Sequence, residues 1–167
     1  MPRFFFSILI LLNLFTLNSF GSEKIVYLDL DYLLANSNKG KEVLLNLEQI
    51  NKKNIELLKK KEKLLSEEEK KLIQQKNILT KDIYSEKVQI LKTKIKNYRE
   101  EKNILVNEFK KKREEDINNF LKLVDKILAD YVQKNSIDIV LNKKDILMGK
   151  NNYNITEEIL KMVNNTN

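Results

Sequence analysis

Ten basic residues, Lys87, Lys92, Lys94, Lys96, Arg99, Lys102, Lys110, Lys111, Lys112 and Arg113, face only Glu100, Glu101 and Glu108 between positions 87 and 113. Ten minus three gives +7 in that stretch, as large as the formal charge of the whole 167-residue chain. A run of one sign in an otherwise near-neutral sequence draws in anions over long range. Lys92, Lys94, Lys96, Arg99, Lys102, Lys110, Lys111, Lys112 and Arg113 are therefore the candidate contacts for an anionic partner. The competing reading is a solvated helix face: arginine occurs only at 3, 99 and 113, and the wealth of lysine, asparagine and isoleucine fits an AT-rich coding bias.

Catalytic chemistry lacks its parts. The chain has no histidine and no cysteine, and no Gly-rich phosphate loop followed by Lys and Ser/Thr, so nucleotide hydrolysis, the usual metal sites and Cys/His or Ser/His nucleophiles are all unsupported. Glu67, Glu68 and Glu69 read as helix-surface partners of nearby lysines rather than an acid/base pair. No enzyme activity, cofactor or metal is expected. Nucleic acid is not expected as a partner either, because arginine and aromatic stacking platforms are scarce for a basic chain.

The elements that must carry the basic stretch are long helices. Only 3 glycines and 1 proline are present, and none falls between Gly40 and Gly149, so the usual punctuation of a compact fold is missing. From Tyr84, the positions Val88, Leu91, Ile95, Tyr98, Leu105 and Phe109 keep steps of three and four, with Lys102 filling one seam place. The seam resumes at Ile117, Phe120, Val124, Ile127 and Tyr131. Upstream, Leu44, Leu47, Leu58, Leu65, Leu72 and Leu79 share one heptad frame, while Asn51, Asn54, Lys61, Glu68 and Gln75 occupy its other seam places. Such an underpacked seam should bend. Thr80, Asp82 and Ser85 are good helix starters, which puts a hairpin turn near residues 80–86 within a helical region of 37–134. A straight helix from Asn38 to Lys134 also satisfies propensity.

Both ends differ from this rod. Arg3, the apolar run from Phe4 to Leu17 and the small residues Ser19 and Gly21 have the form of a cleaved secretory signal over residues 1–21. An uncleaved anchor is the other reading, but the run is short against the roughly 20 residues of a spanning helix and contains Asn13. An exported chain without cysteine has neither disulfides nor a lipoprotein acceptor. Removal of Arg3 would leave 30 basic against 24 acidic residues, a net charge of +6. The mature protein is then expected to be soluble outside the cytosol.

Lys24 to Leu30, Asp138 to Asn142 and Asp145 to Gly149 read as three short strands, and Asn154 with Glu157 resembles a capping box ahead of a short C-terminal helix. Residues 22–36 and 135–167 would build one small β body. So small a sheet cannot hold arms of this length alone, so several chains are expected to pool their strands through Ile25, Tyr27, Ile139, Leu141 and Ile146.

The order of KIVYLDLDYLLANS, a long charged hairpin and IDIVLNKKDILMGKNNYNITEEILKMV resembles the Skp/OmpH family of periplasmic chaperones over nearly the whole mature chain. The aspartate that opens the family's last helix is Asn154 here, which keeps a capping oxygen and loses its charge. The resemblance implies a mainly α fold in which long antiparallel helical hairpins hang as tentacles from a small β body formed by both chain ends, with three subunits trimerising through it. It also implies an ATP-independent holdase that keeps unfolded outer-membrane β-barrel proteins from aggregating before insertion. Tyr98 and Phe109 are possible apolar contacts for such clients, although both also fit the coil seam. Anionic lipid or lipopolysaccharide is a secondary partner class for the same basic residues. A structural or tethering coiled-coil protein of the cell envelope is the alternative function.

Overall fold

The structure, a computed structural model, describes residues 23–166; the signal segment expected over 1–21 lies outside them. Strand β1 (Ile25–Leu28) leads into a short helix α1 (Leu30–Asn36) and two long helices, α2 (Asn38–Gln74) and α3 (Lys81–Lys134), followed by strand β2 (Ile139–Asn142) and helix α4 (Thr156–Asn164). The fold is mainly helical, with a two-stranded sheet where the chain ends meet. At 1.5 Å per residue the 37 residues of α2 rise roughly 55 Å and the 54 of α3 roughly 80 Å. No helix among the described residues is long and apolar enough to cross a membrane.

Local chemistry sets the first boundaries. Asp29 ends the strand by capping α1, its Oδ1 accepting from the Tyr32 N–H at 2.9 Å. Ser37, fully buried, caps α2 by accepting from the Gly40 N–H at 3.0 Å. The elbow between these helices is so tight that a Cβ on Gly40 would lie 2.0 Å from the Leu34 carbonyl oxygen, which explains a glycine inside the first turn of a long helix.

The hairpin turn occupies residues 75–80, not 80–86. Of the three helix starters in that stretch, Thr80 wins: its extended backbone makes Lys81 the first helical residue, and Asp82 lies in the first turn, where a carboxylate favours the helix N-terminus. The turn forms without glycine because backbone bonds close it, among them Ile78 N–H to the Gln75 carbonyl at 3.0 Å.

β1 and β2 pair in parallel, Ile25 opposite Ile139 through Leu28 opposite Asn142, so the whole hairpin is the crossover between them. The third strand expected at Asp145–Gly149 does not form. Asn142 instead accepts from the Lys144 N–H and starts a single 3-10 turn at Lys143–Asp145. The free side of β1 is taken by Asn154, bridged to Tyr27, with the Ile155 N–H donating to the Tyr27 carbonyl at 3.0 Å.

The capping box also resolves differently. Asn154 Oδ1 accepts from both the N–H and the hydroxyl of Thr156, at 3.0 and 2.6 Å. Glu157 turns instead to the Tyr32 hydroxyl and raises its pKa. Thr156 Oγ1 in turn accepts from the Asp29 N–H at 3.0 Å, so one small polar chain fastens the last helix to the start of the first.

The core lies in this body. Val26 and Leu28 from β1, Leu33 from α1, Phe120, Val124 and Ile127 from α3, Ile137, and Ile155, Ile159 and Val163 at α4 form one buried cluster. Its inner wall is thus the far end of α3, inside the stretch expected to be hairpin alone.

Candidate functional site

Two surfaces stand out, one on the body and one along the arm formed by α2 and α3. Strand alternation sends Val26 and Leu28 into the core and turns Ile25 and Tyr27 the other way. On that outer face Ile25, Ile139 and Leu141 are each about 40% exposed, at 40%, 42% and 43%. A shallow hollow beside them is lined by Ile25, Tyr27, Leu141, Ile146, Met148 and Tyr153. Four of the five residues expected to pool chains therefore line one hollow, and Ile139, two residues before Leu141, shares its face. Leu147 and Met148 next to it are almost wholly exposed, at 103% and 91%. Just past the end of β1, the Asp29 carboxylate lies 2.9 Å from Lys143 Nζ. Bonding from the Tyr32 N–H and then from Lys143 holds the Asp29 carboxyl below the usual carboxylate value, and the same pair raises Lys143.

The arm seam follows the heptads with corrections. Leu47, Leu72 and Leu91 are buried, and Leu58, Leu65, Tyr84, Val88, Ile95, Tyr98, Leu105 and Phe109 half-buried, so Tyr98 and Phe109 lie within the seam. Leu44 and Asn51 point to solvent. Lys102 is exposed too; Glu101 takes the place facing α2, because Lys61 pairs with it at 2.6 Å. Glu68 pairs with Lys94 at 2.6 Å, and Lys87 donates to Gln75 Oε1 at 3.5 Å. Positions rise by seven along α2 as they fall by seven along α3, the signature of one antiparallel register. Three of the five polar seam residues that looked like packing defects in the sequence, Lys61, Glu68 and Gln75, are thus rungs of a cross-helix ladder.

This divides the basic candidates. Lys94 is spent on Glu68, Lys96 pairs with Glu100 at 3.8 Å, Lys111 with Glu115 at 3.8 Å and Lys112 with Asp116 at 2.6 Å. Lys92, Arg99, Lys102, Lys110 and Arg113 enter no ion pair among the described residues. At 100° per residue these five fall within about 80° of arc on α3, forming one cationic edge along the arm with Val106 in its midst.

The opposite side of the arm carries exposed aliphatic side chains between charged and polar neighbours. Leu64 lies beside the rungs Lys61–Glu101 and Glu68–Lys94, and Ile90 beside Lys87 and Lys94. Heptad spacing extends each row, to Leu57 on α2 and Ile104 on α3. Leu57, Leu64, Ile90 and Ile104 are 39%, 56%, 47% and 56% exposed. Reading the seam alone misses this face; the heptad recurrence at 57 and 64, and at 83, 90 and 104 with Asn97 in the place between, was the available signal.

A coiled-coil hairpin carried on a body made from both chain ends defines a class of tentacled proteins. Residues 24–163 match the family model described as Outer membrane protein (OmpH-like). The chain belongs to this OmpH-like family. Among solved structures it is similar to a protein from Caulobacter crescentus CB15 described as an OmpH-like outer membrane chaperone, with a TM-score of 0.77 at 14% identity over 85% of this chain and 84% of that one. At that identity the likeness speaks for the fold. A comparison with curated proteins finds no match.

Proposed function

We propose that the protein is an ATP-independent holdase of the periplasm, which binds unfolded outer-membrane β-barrel proteins and prevents their aggregation before insertion. The observation that carries this reading is the apolar face of the arm, where Leu57, Leu64, Ile90 and Ile104 stand open to solvent along a rod with a cationic edge on its other side. A row of separate aliphatic contacts suits weak, multiple binding of an unfolded chain. The cations Lys92, Arg99, Lys102, Lys110 and Arg113 draw acidic clients toward the arm, and anionic lipid or lipopolysaccharide is their secondary partner.

The outer sheet face self-associates, with three copies enclosing the space between their arms. Ile25, Ile139 and Leu141 supply the contact, supported by an exposure unusual for strand-borne isoleucine and leucine, with half-buried Ile146 beside them and Tyr27 already largely covered within the chain. Membership of the OmpH-like family supports the chaperone reading.

The test dilutes a urea-unfolded outer-membrane β-barrel protein into nucleotide-free buffer containing the chain from Ser22 onward, and follows light scattering. Suppression that saturates at a fixed ratio of assembled chaperone to client is expected. Undiminished scattering with a folded, assembled protein would move the function to an envelope coiled coil that spaces or tethers other components.

A further inference from the structure

The two seam rows of α2 differ in kind. Leu58, Leu65 and Leu72 form an apolar row, half-buried or buried against α3, while Lys61, Glu68 and Gln75 form the ladder row. The ladder lies on the side of the arm that carries Leu57, Leu64, Ile90 and Ile104. Its ionic side chains are between about a third and a half exposed, at 40% and 35% for Lys61 and Glu101 and 49% and 43% for Lys94 and Glu68. Water and salt therefore reach the rungs, and their attraction fades as the screening length shortens. Apolar contact is not weakened in that way.

We propose that the arm opens along one side only, with the ladder as latch and the leucine row as hinge. Two clefts between the rungs already mark the path: one exposes parts of Leu65 and Tyr98, the other of Leu72. Parting of the rungs rolls the helices about the leucine row and adds these three side chains to the apolar face. The opposite edge, with Ile55 of α2 and Val106 of α3, stays closed. A fully apolar seam would hold both edges equally, so the polar row makes the opening directional. The body takes no part, since the described residues of its core are apolar and its Asp29–Lys143 pair lies outside that cluster. The latch stands whether or not the arm binds clients.

Paired spin labels test it in the full chain, which has no native cysteine. Leu57→Cys with Ile104→Cys reports the ladder edge, and Ile55→Cys with Val106→Cys the hinge edge, each labelled chain diluted into unlabelled protein to suppress distances between copies. Between low salt and about 1 M, where the screening length is about 3 Å, the ladder-edge distances should lengthen and broaden while the hinge-edge distances hold. Glu68→Gln with Glu101→Gln should give the long ladder-edge distances already at low salt. The exchange Lys61→Glu with Glu101→Lys should restore the parent behaviour. Equal lengthening at both edges, or a ladder edge indifferent to either treatment, would overturn the latch.

Discussion

Leu33, Val124, Ile159 and Val163 in the body have no exposed surface at all, whereas along the arm only Leu47, Leu72 and Leu91 are buried and the remaining seam side chains are partly wet. The body gathers four separate stretches of chain around one dry cluster. The arm has two helices, each able to present only one stripe to the other, and half of the α2 stripe is polar. The difference teaches where stability and adaptability reside: the body fixes the geometry from which the arms project, and the arm keeps apolar surface available because it cannot bury it.

The largest expected effect breaks or confirms that contrast directly. Leu33→Ala removes a fully buried side chain and should cost about 3 kcal/mol, read as a lower urea midpoint. Leu65→Ala on the arm should cost about 1 kcal/mol, because its side chain is only half-buried. Equal costs would mean that the arm is packed as tightly as the body.

Next in size is the outer sheet face. Leu141→Asp should change the unfolding free energy of the single chain by less than about 0.5 kcal/mol, since the side chain is 43% exposed. In the assembly the new carboxylate would be buried without a partner, and the mass measured by multi-angle light scattering should fall to that of one chain. A variant that keeps its assembled mass would remove this face from self-association.

The cationic edge should matter to rate and hardly at all to stability. Reversal of Lys92, Arg99 and Arg113 to Glu should slow client capture and flatten its salt dependence, with stability changed by less than about 0.5 kcal/mol. Reversal of Lys96, already paired with Glu100, should do less. Stopped-flow capture at several salt concentrations separates the two.

The smallest effect belongs to the Asp29–Lys143 pair. A carboxyl held below its usual value stabilises the fold above about pH 3.9 and loses that contribution as pH falls through its lower folded value. The raised lysine contributes fully below about pH 10.4 and loses its share as pH rises through its folded value. Asp29→Asn keeps a capping oxygen, so its small Tm deficit at neutral pH should vanish in acid; a deficit that persists there would show that the charge pair with Lys143 is not its source.

Much of this architecture was legible in the sequence. The lack of glycine and proline between Gly40 and Gly149 and the steps of three and four from Tyr84 announced the helices, and β-branched alternation announced β1 and β2. Asp145–Gly149 misled because DILMG has strand composition, while the competing event, Asn142 capping a 3-10 turn just before it, depends on one side-chain bond. The turn position turned on which of three starters capped α3. The ladder was hidden for a different reason: Lys61 and Glu101 are 40 positions apart, and only the antiparallel register makes them neighbours. The basic stretch was visible as composition, but which cations remain available depends on partners such as Glu68, well outside it.

The central claim is that the apolar face of the arm holds the client. A variant with Leu57, Leu64, Ile90 and Ile104 all changed to Ser leaves the body core and the seam leucines in place, so it can be compared with the parent at equal assembled mass and helical content. Light scattering from a diluted, unfolded outer-membrane β-barrel protein should then rise several-fold above that seen with the parent. Suppression equal to the parent's, from a variant with unchanged mass and helicity, would contradict the claim and move client contact off this face.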